Sequence, residues 1–112
     1  MKKYAMVFDA GTGAGRCNLF DMSGRLVSYA YREWEYLKDL SSSNKEAMLF
    51  DAEQFKKILF SLCRNVITQA GISADEIVAV SATSQREGMV WLDRFGKEIY
   101  AAPSVDLRGE EA

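Results

Sequence analysis

The spacing of apolar and polar residues changes several times along the chain, and each change marks an element. KYAMVF (residues 3–8) is a short continuous apolar run, as expected of a strand buried on both faces. After a glycine-rich stretch, RCNLFD (16–21) alternates, with Cys17 and Leu19 pointing one way and Asn18 and Phe20 the other. Ser23-Gly24 signals a turn, and RLVSYAY (25–31) follows with Val27, Tyr29 and Tyr31 on one face. Three strands joined by tight turns predict an antiparallel meander.

Residues 37 to 49 include Ser41-Ser42-Ser43-Asn44 and read as an exposed loop. The clearest helix comes next. Asp51 is placed to cap it, Gln54 stands three residues on as in a capping box, and Gly71 marks its end. Phe55, Ile58, Leu59, Leu62, Val66 and Ile67 form one apolar stripe at helical spacing. Burying such a stripe contributes on the order of 10 kcal/mol before entropy, enough to dock the helix on a sheet.

A short acidic stretch, Ser73 to Glu76, leads to IVAVSAT (77–83), whose β-branched, apolar content predicts a central strand. MVWLD (89–93) and KEIYAA (97–102) flank Arg94-Phe95-Gly96 as a hairpin, and Pro103 stops the second strand. VDLRGEEA has the look of a helix start with Asp106 as cap. The order is β-β-β-α-β with further strands. This is an α/β arrangement whose site is expected at strand ends near the first turn.

Composition narrows the function classes. A chain of 112 residues with 48% apolar and 27% charged residues is an ordinary globular domain. Its 14 basic and 16 acidic side chains give a net charge of −2, no footprint for nucleic acid or an anionic membrane. The apolar run after Lys2 and Lys3 ends at Asp9, too short for a signal sequence, and no stretch has the length of a membrane span. Cys17 and Cys63 stand far apart and there is no histidine, so a zinc site is not expected. The expected reading is two reduced, buried thiols in a cytoplasmic protein.

The candidate chemistry starts in FDAGTGAGRCNLFD (8–21). Gly11, Gly13 and Gly15 leave the backbone free to curl, so that N–H groups can face an anion. Thr12 adds a hydroxyl, Arg16 a permanent charge, and Asp9 is placed to hold Mg²⁺ through water. No Gly-Lys-Ser/Thr follows, so this is no Walker A loop, and the glycine spacing is not that of a dinucleotide fingerprint. A plain glycine-rich hairpin, with Asp9 as a turn residue, is the competing reading.

DAGTGAGR resembles the N-terminal phosphate hairpin of the actin, heat-shock chaperone and sugar kinase superfamily. AVSATSQREGMVWLDRFGKEIYAA is similar to the substrate-pocket segment of FGGY-family carbohydrate kinases, and VDLR resembles that family's W-x-D-x-R element. These matches cover most of the chain in the right order. The resemblance implies a ribonuclease H-like (actin-like ATPase) α/β domain in which the antiparallel meander is followed by a helix and a parallel strand. It also implies that residues 1–112 are part of the N-terminal, substrate-side domain of an ATP- and Mg²⁺-dependent kinase. By the same resemblance, Asp9 would bind the Mg²⁺–nucleotide group, Gly11, Thr12 and Gly13 would line the phosphate loop, and Arg16 would sit near the transferred phosphoryl group. Gln85, Arg86 and Glu87 would bond substrate hydroxyls, with Asp106 and Arg108 near the same cleft. An Arg beside a Glu supplies the donors and acceptors a polyol needs.

Two departures matter: Gly13 replaces a common Thr or Ser, and Ser104 stands where the Trp of W-x-D-x-R is common. Together with SQREG, REWEYL and EAMLFD they resemble most the autoinducer-2 kinase branch, within a group that includes xylulokinases and glycerol kinases. In this family the catalytic aspartate and the adenosine segment lie downstream, so the chain alone is expected to be inert and to expose apolar surface that homodimerisation could cover. Two other readings stand beside the kinase. A ribonuclease H-like nuclease or resolvase would need further carboxylates around two metals, for which only Asp106 or Glu87 could serve. An actin- or chaperone-like ATP-binding module would need no QRE triplet. Trp34 and Trp91 read as core or edge aromatics.

Overall fold

The computed structural model describes residues 2–44, 47–85 and 88–103. Three strands open the chain: β1 (Tyr4–Ala10), β2 (Ala14–Asp21) and β3 (Leu26–Glu33). They pair antiparallel as the expected meander. A short ladder of β4 (Leu37–Lys38) and β5 (Met48–Leu49) follows, then α1 (Ala52–Ala70) and a 3₁₀ turn at Ala74–Glu76. β6 (Ile77–Ser84) returns parallel to β1, and β7 (Met89–Leu92) and β8 (Glu98–Ala102) form the expected hairpin. The four-stranded sheet has the order β3-β2-β1-β6.

One face of this sheet carries the core. Tyr4 and Met6 on β1, Cys17 and Leu19 on β2 and Ala30 on β3 are buried against Ile58, Leu62 and Val66 of α1. Ser28, the buried polar residue of that face, donates its hydroxyl to the Val66 carbonyl at 2.8 Å. Asp51 caps α1 by accepting from the Gln54 amide at 3.1 Å. Gly71 closes the helix in the left-handed region at φ 67°, with its amide directed at the Ile67 and Thr68 carbonyls. The other face of the meander exposes Val27, Tyr29 and Tyr31.

Three expectations need correction. β1 is not buried on both faces: Tyr4 and Met6 are buried on the helix side, whereas Ala5 and Val7 are only half-buried. β6, expected to be central, is an edge strand among the described residues, with Val78 and Val80 exposed. Its β-branched content reports a preference for pleated backbone and is silent on how many neighbours the strand has. Residues 37 to 49 are not wholly an exposed loop, because β4 pairs with β5 and Ala47 is buried between them. The helix start expected after Pro103 lies outside the described residues.

Candidate functional site

The site is built where β1 ends. The Gly11 amide donates to the Ala14 carbonyl at 2.9 Å, closing a hairpin whose register sets Asp9 opposite Arg16 and Ala10 opposite Gly15. The next hairpin turns at Ser23-Gly24, where Asp21 accepts from the Ser23 hydroxyl and the Ser23 and Arg25 amides. Those bonds, led by the Ser23 hydroxyl, hold the Asp21 carboxyl below its ordinary range. This second register sets Arg16 opposite Tyr31, while on the parallel side Asp9 pairs with Thr83. Thr83, Asp9, Arg16 and Tyr31 therefore form one row across four strands, on the face away from α1.

A cavity of about 520 Å³ opens on this row, lined by Asp9, Gly11, Gly13, Arg16, Tyr31 and Glu33, with Ala14 and Asn18. The Arg16 guanidinium carbon lies 5.4 Å from the Tyr31 ring centre and 6.0 Å from that of Tyr29. The Tyr31 hydroxyl donates to Glu33 at 3.0 Å, and that bond is the main cause of a phenol pKa raised above its usual value.

Three aromatic residues hold the hairpin from behind. Trp34 is buried, its backbone amide donates to the Gly13 carbonyl at 3.1 Å, and its indole N–H donates to the Thr12 carbonyl at 3.2 Å. Its ring stacks on Phe55 of α1 with centres 4.2 Å apart, and Phe55 in turn packs on Tyr36. The Tyr36 hydroxyl accepts from the Gln85 side-chain amide at 2.9 Å, and the Gln85 backbone amide donates to the Ala10 carbonyl at 2.9 Å. Gln85 thus sits beside the same strand end, tied to the hairpin through Trp34, Phe55 and Tyr36.

The glycines serve differently from expectation. Gly11, Gly13 and Gly15 all lie outside the positive-φ region, and the Gly11 amide is engaged within the turn. Gly15 is needed for close approach: a Cβ there would lie 2.6 Å from the Trp34 ring and 3.2 Å from Leu59.

Of the residues expected to act on phosphate, Asp9, Gly11, Gly13 and Arg16 share the cavity, and Thr12 supplies the carbonyl that Trp34 holds. Gln85 does not share it. It lines a separate apolar groove of about 340 Å³ with Ala10, Phe50, Phe55, Leu59 and Met89. Arg86, Glu87, Asp106 and Arg108 lie outside the described residues. The residues that sequence reasoning missed are Tyr31, Glu33 and Trp34. The hairpin registers contain the first two, and a Trp placed directly after β3 was the available signal for the third.

The donor set fits a water-mediated Mg²⁺. Asp9 offers one hard carboxylate, and no cluster of three or more His, Cys, Asp or Glu exists among the described residues to chelate an ion directly. Mg²⁺ in phosphate sites commonly keeps its waters and takes one or two carboxylates.

The architecture has counterparts of known structure. Gluconate kinase from Lactobacillus acidophilus superposes with a TM-score of 0.73 at 19% identity over 99% of this chain and 21% of its own. Xylulose kinase from Rhodospirillum rubrum gives 0.78 at 18% over 97% and 22%. Plasmodium falciparum glycerol kinase with ADP gives 0.77 at 21% over 98% and 22%. The fold is accordingly of the ribonuclease H-like, actin-like ATPase class. The model of the FGGY family of carbohydrate kinases, N-terminal domain, matches residues 4–110, and the chain belongs to that family. It is 39% identical over 107 residues to the autoinducer-2 kinase of Yersinia enterocolitica, and 37% identical over 109 residues to that of Escherichia coli. It spans 94% and 96% of itself but only 20% of each relative's length.

Proposed function

We propose that this chain provides the phosphate hairpin and part of the substrate side of an ATP- and Mg²⁺-dependent carbohydrate kinase. The full enzyme would transfer the γ-phosphoryl group of ATP to a hydroxyl of a small sugar or polyol, in the cytoplasm where ATP is supplied. The observation that carries this reading is the Asp9–Arg16 register pair, set with Gly11 and Gly13 around one cavity at the C-terminal end of β1. Carboxyl ends of parallel strands are where open α/β sheets bind ligands. A carboxylate beside a guanidinium suits a hydrated Mg²⁺–phosphate group, because each takes one partner of opposite sign. Gln85, Arg86, Glu87, Asp106 and Arg108 are assigned to substrate hydroxyls on the family resemblance.

Phosphoryl transfer needs groups from both walls of a cleft, and the chain has only a fifth of its relatives' length. The catalytic base is accordingly assigned to the remainder, and the chain alone is inert. Titrating labelled protein with Mg²⁺ and ATP should move the amide signals of Asp9 to Arg16, an effect that Arg16→Ala removes. Unmoved signals in that segment would refute the phosphate-site reading. Sugar phosphate formed by the purified chain from a polyol panel would refute the inertness.

Homodimerisation has a candidate surface in the edge of β6 that no other strand among the described residues pairs with. Its run IVAVSATS carries no charge or proline, the devices that usually block edge pairing. Sedimentation as a monomer at high concentration would count against this.

A further inference from the structure

Among the described residues, Arg16 is the cation that lines the cavity, and it forms no ion pair with Asp9 or Glu33, the carboxylates that line it too. Its guanidinium instead lies 5.4 Å from the Tyr31 ring centre, within the distance at which an aromatic face attracts a cation. Glu33, the carboxylate that β3 contributes to the cavity, accepts the Tyr31 hydroxyl at 3.0 Å. That bond restrains the ring and engages one oxygen of the carboxylate.

The difference between a ring and a carboxylate is chemical. A carboxylate would hold Arg16 by its N–H groups, the donors a phosphate needs. A ring face attracts the cation while leaving those donors in the guanidinium plane unspent. Arg16 also pairs with Tyr31 in the β2–β3 register, which sets the two side chains next to one another on the same face of the sheet. Tyr29, two register pairs further along and so on the same face, lies at 6.0 Å and lengthens the same platform.

We propose that Tyr31 is a positioning residue, a neutral platform fixed by Glu33 that holds Arg16 beside Asp9 with its hydrogen-bond donors available to a phosphate oxyanion. This rests on the phosphate-site reading above.

The test uses the full chain, with inorganic tripolyphosphate and Mg²⁺ as the probe, and compares wild type with Tyr31→Phe, Tyr31→Leu and Arg16→Ala. The wild-type Arg16 Nε–H proton should be shifted upfield by the ring, and the shift should survive Tyr31→Phe and shrink in Tyr31→Leu to what the Tyr29 ring contributes. Tripolyphosphate affinity should fall about two- to fivefold in Tyr31→Leu, and by less in Tyr31→Phe, which keeps the ring but loses the bond to Glu33. Retained amide signals elsewhere show that the variants are folded, and a merely structural tyrosine would leave the Arg16 proton unmoved. An Arg16 proton without the upfield shift in wild type overturns the platform and leaves the phosphate site intact. So does wild-type affinity in Tyr31→Leu when Arg16→Ala has lost binding. An equal loss in Tyr31→Phe overturns the role of the ring. A wild-type chain indifferent to tripolyphosphate overturns the phosphate-site reading, and the proposal with it.

Discussion

Replacing Gly15 by alanine tests the claim that the β1–β2 hairpin is shaped by the residue behind it. The added Cβ would lie 2.6 Å and 3.0 Å from two atoms of the Trp34 ring and 3.2 Å from Leu59. The ring has little room to retreat. Its face rests on Phe55 at 4.2 Å, its indole N–H is bonded to the Thr12 carbonyl, and its own amide is bonded to the Gly13 carbonyl. Overpacking of this kind costs about 1–3 kcal/mol. Breaking the indole bond adds about 0.5–1.5 kcal/mol. The expected loss for Gly15→Ala is therefore roughly 2–4 kcal/mol, read as a lower urea midpoint in circular dichroism at unchanged slope. The Trp34 indole proton should shift as well. Gly13→Ala is the control, because nothing lies within 4 Å of the Cβ it would add and its φ is ordinary. It should be neutral or stabilising by up to about 1 kcal/mol. A Gly15→Ala chain within about 0.5 kcal/mol of wild type, with its indole signal in place, would refute the packing argument.

Asp51→Ala removes the side-chain acceptor of the Gln54 amide and should cost about 1 kcal/mol in thermal or urea unfolding, whereas Asp51→Asn should keep most of the cap. An alanine variant as stable as wild type would show that the cap contributes nothing. Burial, with a smaller contribution from Cys63, pushes the Cys17 thiol up from 9.0 to about 12. The folded chain then holds a proton that the unfolded chain gives up. The associated stability is complete below pH 9 and drains away towards pH 12, at up to about 1.4 kcal/mol per pH unit. The stability gap between wild type and Cys17→Ala should narrow over that window, and a constant gap from pH 8 to 10.5 would contradict the shift.

Much of the fold was legible because its elements declare themselves locally. Ser23-Gly24, the cap at Asp51 and the αL glycine at 71 are short-range signals, and each falls where the sequence put it. The alternation of Cys17 and Leu19 gave the buried face of β2 correctly. The position of β6 was not legible, since whether a strand is central or at an edge depends on what pairs with it from elsewhere in the chain. The β4–β5 ladder was missed for a related reason. Two residues on each side carry no period, and the serines between them dominate the pattern.

The candidate site was half legible, and the division follows from geometry. Asp9, Gly11, Thr12, Gly13 and Arg16 are neighbours in sequence, so a motif contains them. Tyr31 and Glu33 reach the same cavity only through the strand register. The first register could have been worked out, since a hairpin turning at Thr12-Gly13 places Asp9 opposite Arg16, but Arg16 faces Tyr31 only because the β2–β3 ladder shifts between Leu19 and Phe20; the turn closed by Asp21 and Arg25 would otherwise set it opposite Ala30. Trp34 was harder, since a buried tryptophan after a strand looks like any core residue until its two bonds to the loop are seen. Those bonds change what the hairpin is. A loop held only by its glycines would have to be ordered by its ligand, at an entropic cost to binding. Here Trp34 fixes the Thr12 and Gly13 carbonyls, Phe55 fixes Trp34, and Tyr36 carries the same packing to Gln85. The β1–β2 hairpin and Gln85 are thus placed by one aromatic cluster anchored on α1, and loosening that cluster should disturb both.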